Sequence, residues 1–108
     1  MVSYKVIISP KALSQLEQCV DYVHYKLKNR IAAESILRDV HYTRQELLVV
    51  AGSLKLCEHP SLRAKGYRAI RLQRHDYVLL YRTEGSNAYV EVFYHLTQDY
   101  ENLFSSDL

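Results

Sequence analysis

The sequence predicts an α+β fold in one domain spanning 1–108: an N-terminal strand, then an antiparallel helical hairpin packed on one face of a largely antiparallel sheet of about four strands. Three observations predict it. Apolar residues recur at spacings of 3 and 4 through the first half, β-prone runs follow in the second half, and the connections within each half are short.

Taken in order, residues 3–8, SYKVII, are β-branched and aromatic and read as a strand. Ser9-Pro10 ends it and starts a helix, with Ser9 as N-cap and Pro10 at the first helical position, where its missing N–H costs nothing. Leu13, Leu16, Val20, Val23 and Leu27 form one stripe and carry this helix to about Lys28. Asn29 caps a second helix through Ala33, Ile36, Leu37, Val40, Leu47 and Leu48, ending near Gly52. Lys28-Asn29-Arg30 is a link short enough to force the two helices side by side. From Ser53 to Lys65 the pattern lapses into a loop, and Pro60 argues against a helix continuing through it. Strands at about Tyr67–Gln73, Tyr77–Arg82 and Ala88–Tyr94 make a meander, joined by Arg74-His75-Asp76 and by Glu84-Gly85-Ser86-Asn87. Glu101–Phe104 adds one helical turn, and the last residues, SSDL, fray.

Composition excludes several classes of protein. No window is long and apolar enough to span a bilayer, and MVSYKVIISPK lacks the build of a secretory signal, which places the chain in the cytoplasm. Cys19 and Cys57 are too few for a disulfide framework, and without a CxxC or a helical His pair they do not suggest zinc, so both are read as reduced thiols. No metal or cofactor is expected. Net charge is +2 overall, but residues 55–82 carry seven Lys/Arg against two Asp/Glu, while residues 83–108 carry no Lys/Arg and five Asp/Glu. A basic, strand-rich middle segment suggests a surface facing a polyanion.

Strand alternation sorts the side chains. In the first meander strand Arg68, Ile70 and Leu72 share one face while Tyr67, Ala69 and Arg71 share the other; in the last, Val90, Val92 and Tyr94 oppose Glu91, Phe93 and His95. If the helices cover the Ile70/Leu72/Val90/Val92 face, Arg71 and His95 lie together on an uncovered one.

The order of elements, together with VIISPKAL at the start, KGYRAIRLQRHDYVLLYR in the middle and FYHLTQDYENLF at the end, resembles the RelE/ParE superfamily of bacterial toxins across nearly the whole chain. The resemblance implies the growth-arresting half of a type II toxin–antitoxin, or plasmid-stabilisation, pair, neutralised by a small cognate antitoxin encoded alongside. It also implies one of two targets: mRNA on the ribosome, cut without metal by an mRNA interferase, or DNA gyrase, inhibited without chemistry in the manner of ParE. A decayed toxin that only binds its antitoxin is a third outcome. The region EHPSLRAKGYRAIRLQRHDYVLLYR is similar to that of YafQ-type nucleases, whose catalytic positions fall on His59, Arg71, Asp76, His95 and Tyr100. Arg71 stands where those nucleases have histidine, Tyr100 is spaced differently, and Val78 stands where RelE-type members carry arginine.

Metal-free RNA cleavage needs a base for the 2′-OH, cationic groups for the phosphorane charge and an acid for the leaving oxygen. His95 at a strand end is the leading acid or base, and Arg71 the leading charge stabiliser. Asp76 accepts a proton or orients a neighbour, Tyr100 stacks on a base or donates a proton, and His59 holds a phosphate from its loop. Arg63, Lys65, Arg68 and Arg74 serve as phosphate contacts. His75 is read as solvent-exposed.

Overall fold

The computed structural model describes residues 3–108, and the expected architecture is present in it. Strand β1 (Lys5–Ile8) leads into helix α1 (Pro10–Asp21), which widens into a π-helical turn over Tyr22–Lys26 before α2 (Arg30–Val50). A short α3 (Pro60–Ala64) precedes β2 (Arg68–Arg71), β3 (Tyr77–Glu84) and β4 (Asn87–His95), and α4 (Tyr100–Ser106) closes the chain. The sheet has four strands in the order β1-β4-β3-β2. The meander pairs are antiparallel, whereas β1 joins β4 in parallel. No helix among the described residues is long and apolar enough to cross a membrane.

Local chemistry explains the helix starts. The Ser9 hydroxyl accepts the Ala12 N–H at 3.0 Å with Pro10 next to it, and Asn29 Oδ1 accepts the Ala32 N–H at 3.0 Å. The expected stripe of α1 is displaced at both ends. Ala12 takes the core position beside Leu16, leaving Leu13 exposed. The Leu27 N–H bonds back to the Tyr22 carbonyl, five residues away, and the wider turn rotates Leu27 out of the stripe and into solvent. On α2 the buried residues are Ala33, Ile36, Asp39, Val40, Thr43 and Leu47, while Leu37 faces outward.

The largest departure from the expected pattern is a bulge in β4. Leu80 pairs with Val92 and Tyr81 with Val90, so Glu91 has no partner in the ladder. One extra residue flips every later side chain to the opposite face. Val90 therefore packs with Ile70, Leu72, Leu79 and Tyr81 under the helical hairpin, but Val92 and Tyr94 turn away to join Tyr67, Val78 and Leu80 on the second face. Phe93 returns to the hairpin side. Ser9 fixes the bulge: its hydroxyl donates to the Glu91 carbonyl at 2.7 Å, and its N–H donates to the Val90 carbonyl at 2.8 Å. Past the end of β1, Gln15 Oε1 accepts the Phe93 N–H at 2.9 Å, so α1 completes the edge that β1 leaves short.

The second face is not open, as the alternation had implied. Leu62 of α3 and Phe104 of α4 are buried against Tyr67, Val78, Leu80, Val92 and Tyr94, with Phe104 edge-on to the Tyr67 ring at 4.9 Å. Pro60, expected to argue against helix, instead starts one at its first turn, behind His59 as N-cap. The chain end is held as well, by a 2.7 Å ion pair between Lys11 and Asp107, where fraying was expected.

Ser9 thus serves two elements at once. Replacing Ser9 by Ala is expected to lower stability by about 1–2 kcal/mol, the upper part of the range for a lost cap. Ser9→Asp, which can cap but cannot donate to Glu91, should fall between Ala and the wild type. Thermal unfolding followed by circular dichroism of the three proteins checks the order.

Candidate functional site

The bulge separates the residues expected to act together. Arg71 ends β2 opposite Val78 and lies exposed on the second face. His95 ends β4 opposite Tyr77, which packs with the hairpin-side core, so its ring lies on the other side of the sheet. The expectation that Arg71 and His95 share one uncovered face is therefore corrected: the period-2 count fails at Glu91, and α3 and α4 occupy part of the face in question.

His95 sits edge-on to Tyr77, with centroids 5.1 Å apart, in an open cleft of about 330 Å³ lined by Gln15, Gln18, Cys19, Tyr77, Phe93, Tyr94 and Gln98. Its Nδ1 accepts the Thr97 N–H at 3.1 Å and lies 2.7 Å from the Thr97 hydroxyl. The neutral ring then carries its proton on Nε2. Asp76 stands at the same end of the sheet, exposed, and its carbonyl accepts the Leu96 N–H at 2.8 Å. Cys19 donates to the Tyr77 hydroxyl at 3.1 Å, and burial raises the Tyr77 pKa well above the usual phenol range.

His59 is engaged in holding α3 to α4. Its Nδ1 accepts the Ser61 N–H at 3.2 Å, and its Nε2 lies 3.3 Å from the Ser105 hydroxyl, which itself donates to the Asn102 carbonyl. The His59 N–H donates to Glu101 at 2.8 Å. A concavity of about 460 Å³ brings His59 and Tyr100 together but is walled by Glu58, Asp99 and Glu101. Three carboxylates make a poor seat for a phosphate backbone. Tyr100 also borders a cavity of about 350 Å³ that contains Arg71, Lys55 and Ala69. The structure thus brings together Tyr100 with His59, Tyr100 with Arg71, and Asp76 with the His95 end of the sheet, and it does not gather all five.

The expected phosphate contacts divide similarly. Arg63, Lys65 and Arg74 are exposed. Arg68 is drawn inward, donating to the Leu54 carbonyl, with its Nε buried and without a partner.

One group went unrecognised in the sequence. Asp39 of α2 is buried and accepts the Arg74 N–H at 2.9 Å, the Gln73 N–H at 3.3 Å and His75 Nδ1 at 2.8 Å, which clamps the β2–β3 turn onto the helix. His75, read from the sequence as solvent-exposed, is instead largely covered because it completes this clamp, its side chain 22% exposed. Burial pushes the Asp39 pKa up, but the bonds from His75 and Arg74 outweigh it and hold the carboxyl below its ordinary value of 3.8. A signal was available. Asp39 falls among Ile36, Val40, Thr43 and Leu47 on the inward side of α2, where a carboxylate needs dedicated partners.

A folded-state pKa below the unfolded one means that the Asp39 contribution is complete above the unfolded value and lost as pH falls through the folded one. Asp39→Ala should cost about 1–3 kcal/mol at pH 7, the usual range for stranded buried partners. The gap between wild type and variant should narrow on acidification below about pH 4. Urea titrations at pH 7 and pH 3 measure both.

Comparison with known proteins places this geometry. Residues 6–100 match the model of the family described as the ParE toxin of the type II toxin–antitoxin system, parDE. No curated protein matches the chain. Among solved structures, a chain from the chromosomal ParDE toxin–antitoxin system of P. aeruginosa is similar in fold, with a TM-score of 0.71 at 20% identity over 87% of this chain and 97% of that one.

Proposed function

This chain belongs to the ParE toxin family of type II toxin–antitoxin systems, and from that premise we propose that it arrests growth by binding DNA gyrase without covalent chemistry, and is neutralised by its cognate antitoxin. The observation that carries the reading is the placement of Arg71 and His95 on opposite faces of the sheet, which argues against a nuclease in which both act on one phosphate. His59 is already engaged in joining two helices. A binding protein has no such requirement.

The exposed apolar surface supports the same reading. Tyr22, Tyr25, Leu27 and Ile31, with exposures of 56%, 70%, 56% and 76%, stand at the tip of the helical hairpin among Lys26, Lys28 and Arg30. An exposed apolar tip with Lys26 and Lys28 beside it, and with Arg30 paired to Glu34, suits a protein surface more than a catalytic cleft.

Purified toxin is expected to inhibit supercoiling or to trap cleaved DNA with gyrase, and cells expressing it should show a DNA-damage response with intact transcripts. The His95→Ala, Arg71→Ala double variant should keep full toxicity. Mapping of transcript ends is the deciding measurement: cuts at defined codons that vanish in the double variant would restore the mRNA-cleaving reading and remove this one.

A further inference from the structure

The end of β4 beside His95 is finished by side chains, and they set the hydrogen-bonding character of the cleft there. The N–H groups of Phe93 and His95 meet carboxamide oxygens: Gln15 Oε1 accepts the first at 2.9 Å and Gln98 Oε1 the second at 3.0 Å. A backbone N–H can only donate, so each carboxamide is held by its oxygen and its NH2 group is left over. His95 Nδ1 is likewise taken by the Thr97 N–H at 3.1 Å, which leaves the Nε2–H. The Tyr77 hydroxyl accepts from Cys19 at 3.1 Å, and with its pKa raised by burial it keeps a proton of its own to give.

Gln15, Gln98, His95 and Tyr77 all line the open cleft of about 330 Å³, and none of these four leftover donors has an acceptor among the described residues. The cleft is rich in donors and uncharged, for no Lys, Arg, Asp or Glu lines it. Lys11, which lies near Tyr94, is paired with Asp107 at 2.7 Å, and Asp76 is close enough to add to the rise in the Tyr77 pKa. A free anion gains no counter-charge here, whereas a neutral carbonyl gains donors without the cost of desolvating a charge. Tyr77 and Phe93, stacked 4.9 Å apart, and Tyr94 supply aromatic walls for a flat ring. The volume sits at the lower end of the roughly 300–1,000 Å³ typical of small-molecule sites.

We propose that this cleft binds the oxo-substituted edge of a nucleobase, the O4 side of uracil or the O6 and N7 side of guanine and hypoxanthine. Those edges present acceptors. Cytosine and adenine place an exocyclic NH2 at the same position, which would meet the NH2 groups of Gln15 and Gln98 donor to donor. The donors of the ring itself point to the open side and stay hydrated. The base comes from a free nucleoside or from unpaired nucleic acid, two sources of one chemistry. The site is independent of how the toxin stops growth, since no bond is cut in it and His95 serves only as a hydrogen-bond donor.

Titration of isotope-labelled toxin with neutral nucleosides, followed by NMR, tests the site. Uridine and inosine should shift the side-chain amide signals of Gln15 and Gln98 to saturation, and should bind about tenfold or more tighter than cytidine and adenosine, as one bidentate contact allows. Gln15→Glu and Gln98→Glu each keep an oxygen for the backbone N–H but lose the NH2. Each should weaken uridine binding by about tenfold or more and move the preference toward cytidine and adenosine. If Gln15→Glu unfolds, Gln98→Glu decides. A uridine tetranucleotide separates the sources: affinity equal to that of uridine assigns the free nucleoside, and affinity about tenfold or more tighter assigns unpaired nucleic acid. No saturable shift by about 10 mM nucleoside, equal affinity for all four nucleosides, unchanged binding by the folded variants, or the same shifts with inorganic phosphate alone overturns the proposal.

Discussion

The hydroxyl of Ser9 holds this fold together at its least regular point. It accepts from the first turn of α1 and donates to the carbonyl of the bulged Glu91, while the Ser9 N–H takes the neighbouring Val90 carbonyl. Without those bonds the bulge would present a carbonyl with no ladder partner, next to a stretch, Val92–Tyr94, that is buried on both faces. With them, β4 can change faces midway. Its first half serves the core under the hairpin, and Val92 and Tyr94 in its second half serve the core under α3 and α4. A protein of 108 residues thereby builds two apolar clusters around one sheet instead of one cluster on one side.

That arrangement has a functional cost and a functional gain. α3 and α4 cover part of the second face, and Arg71 and His95 lie on opposite sides of the sheet. Accessible surfaces lie at the periphery, among them the tip of the helical hairpin, the open cleft beside His95 and the acid-walled concavity beside α4. Peripheral surfaces of different character suit a protein that must be recognised by one partner and engage another.

Much of this was legible in the residues, because the signals were local. Ser9-Pro10 and Asn29 start the helices they were expected to start, and Gly85 at φ 59° makes the tight turn between β3 and β4. The failures have a common origin in interactions distant along the chain. Nothing near Glu91 announces a bulge, since its cause is a serine on another element. The π-helical turn that turns Leu27 outward leaves the 3, 4 spacing intact in the sequence while breaking it in space. The faces of the candidate residues were assigned by counting twos through a strand that does not keep that count.

The Asp39 clamp also bears on how the chain reaches this state. The helical hairpin is local and can form early, whereas the partners of Asp39 lie more than thirty residues downstream on the β2–β3 turn. Until that turn arrives, α2 presents a charged group on the stripe that must pack against the sheet, and burying it unpaired is prohibitive. Settling the helices onto a half-made sheet would therefore leave Asp39 buried without its partners. The native clamp thereby ties packing of the hairpin-side core to the β2–β3 turn, a link that favours folding of hairpin and meander together.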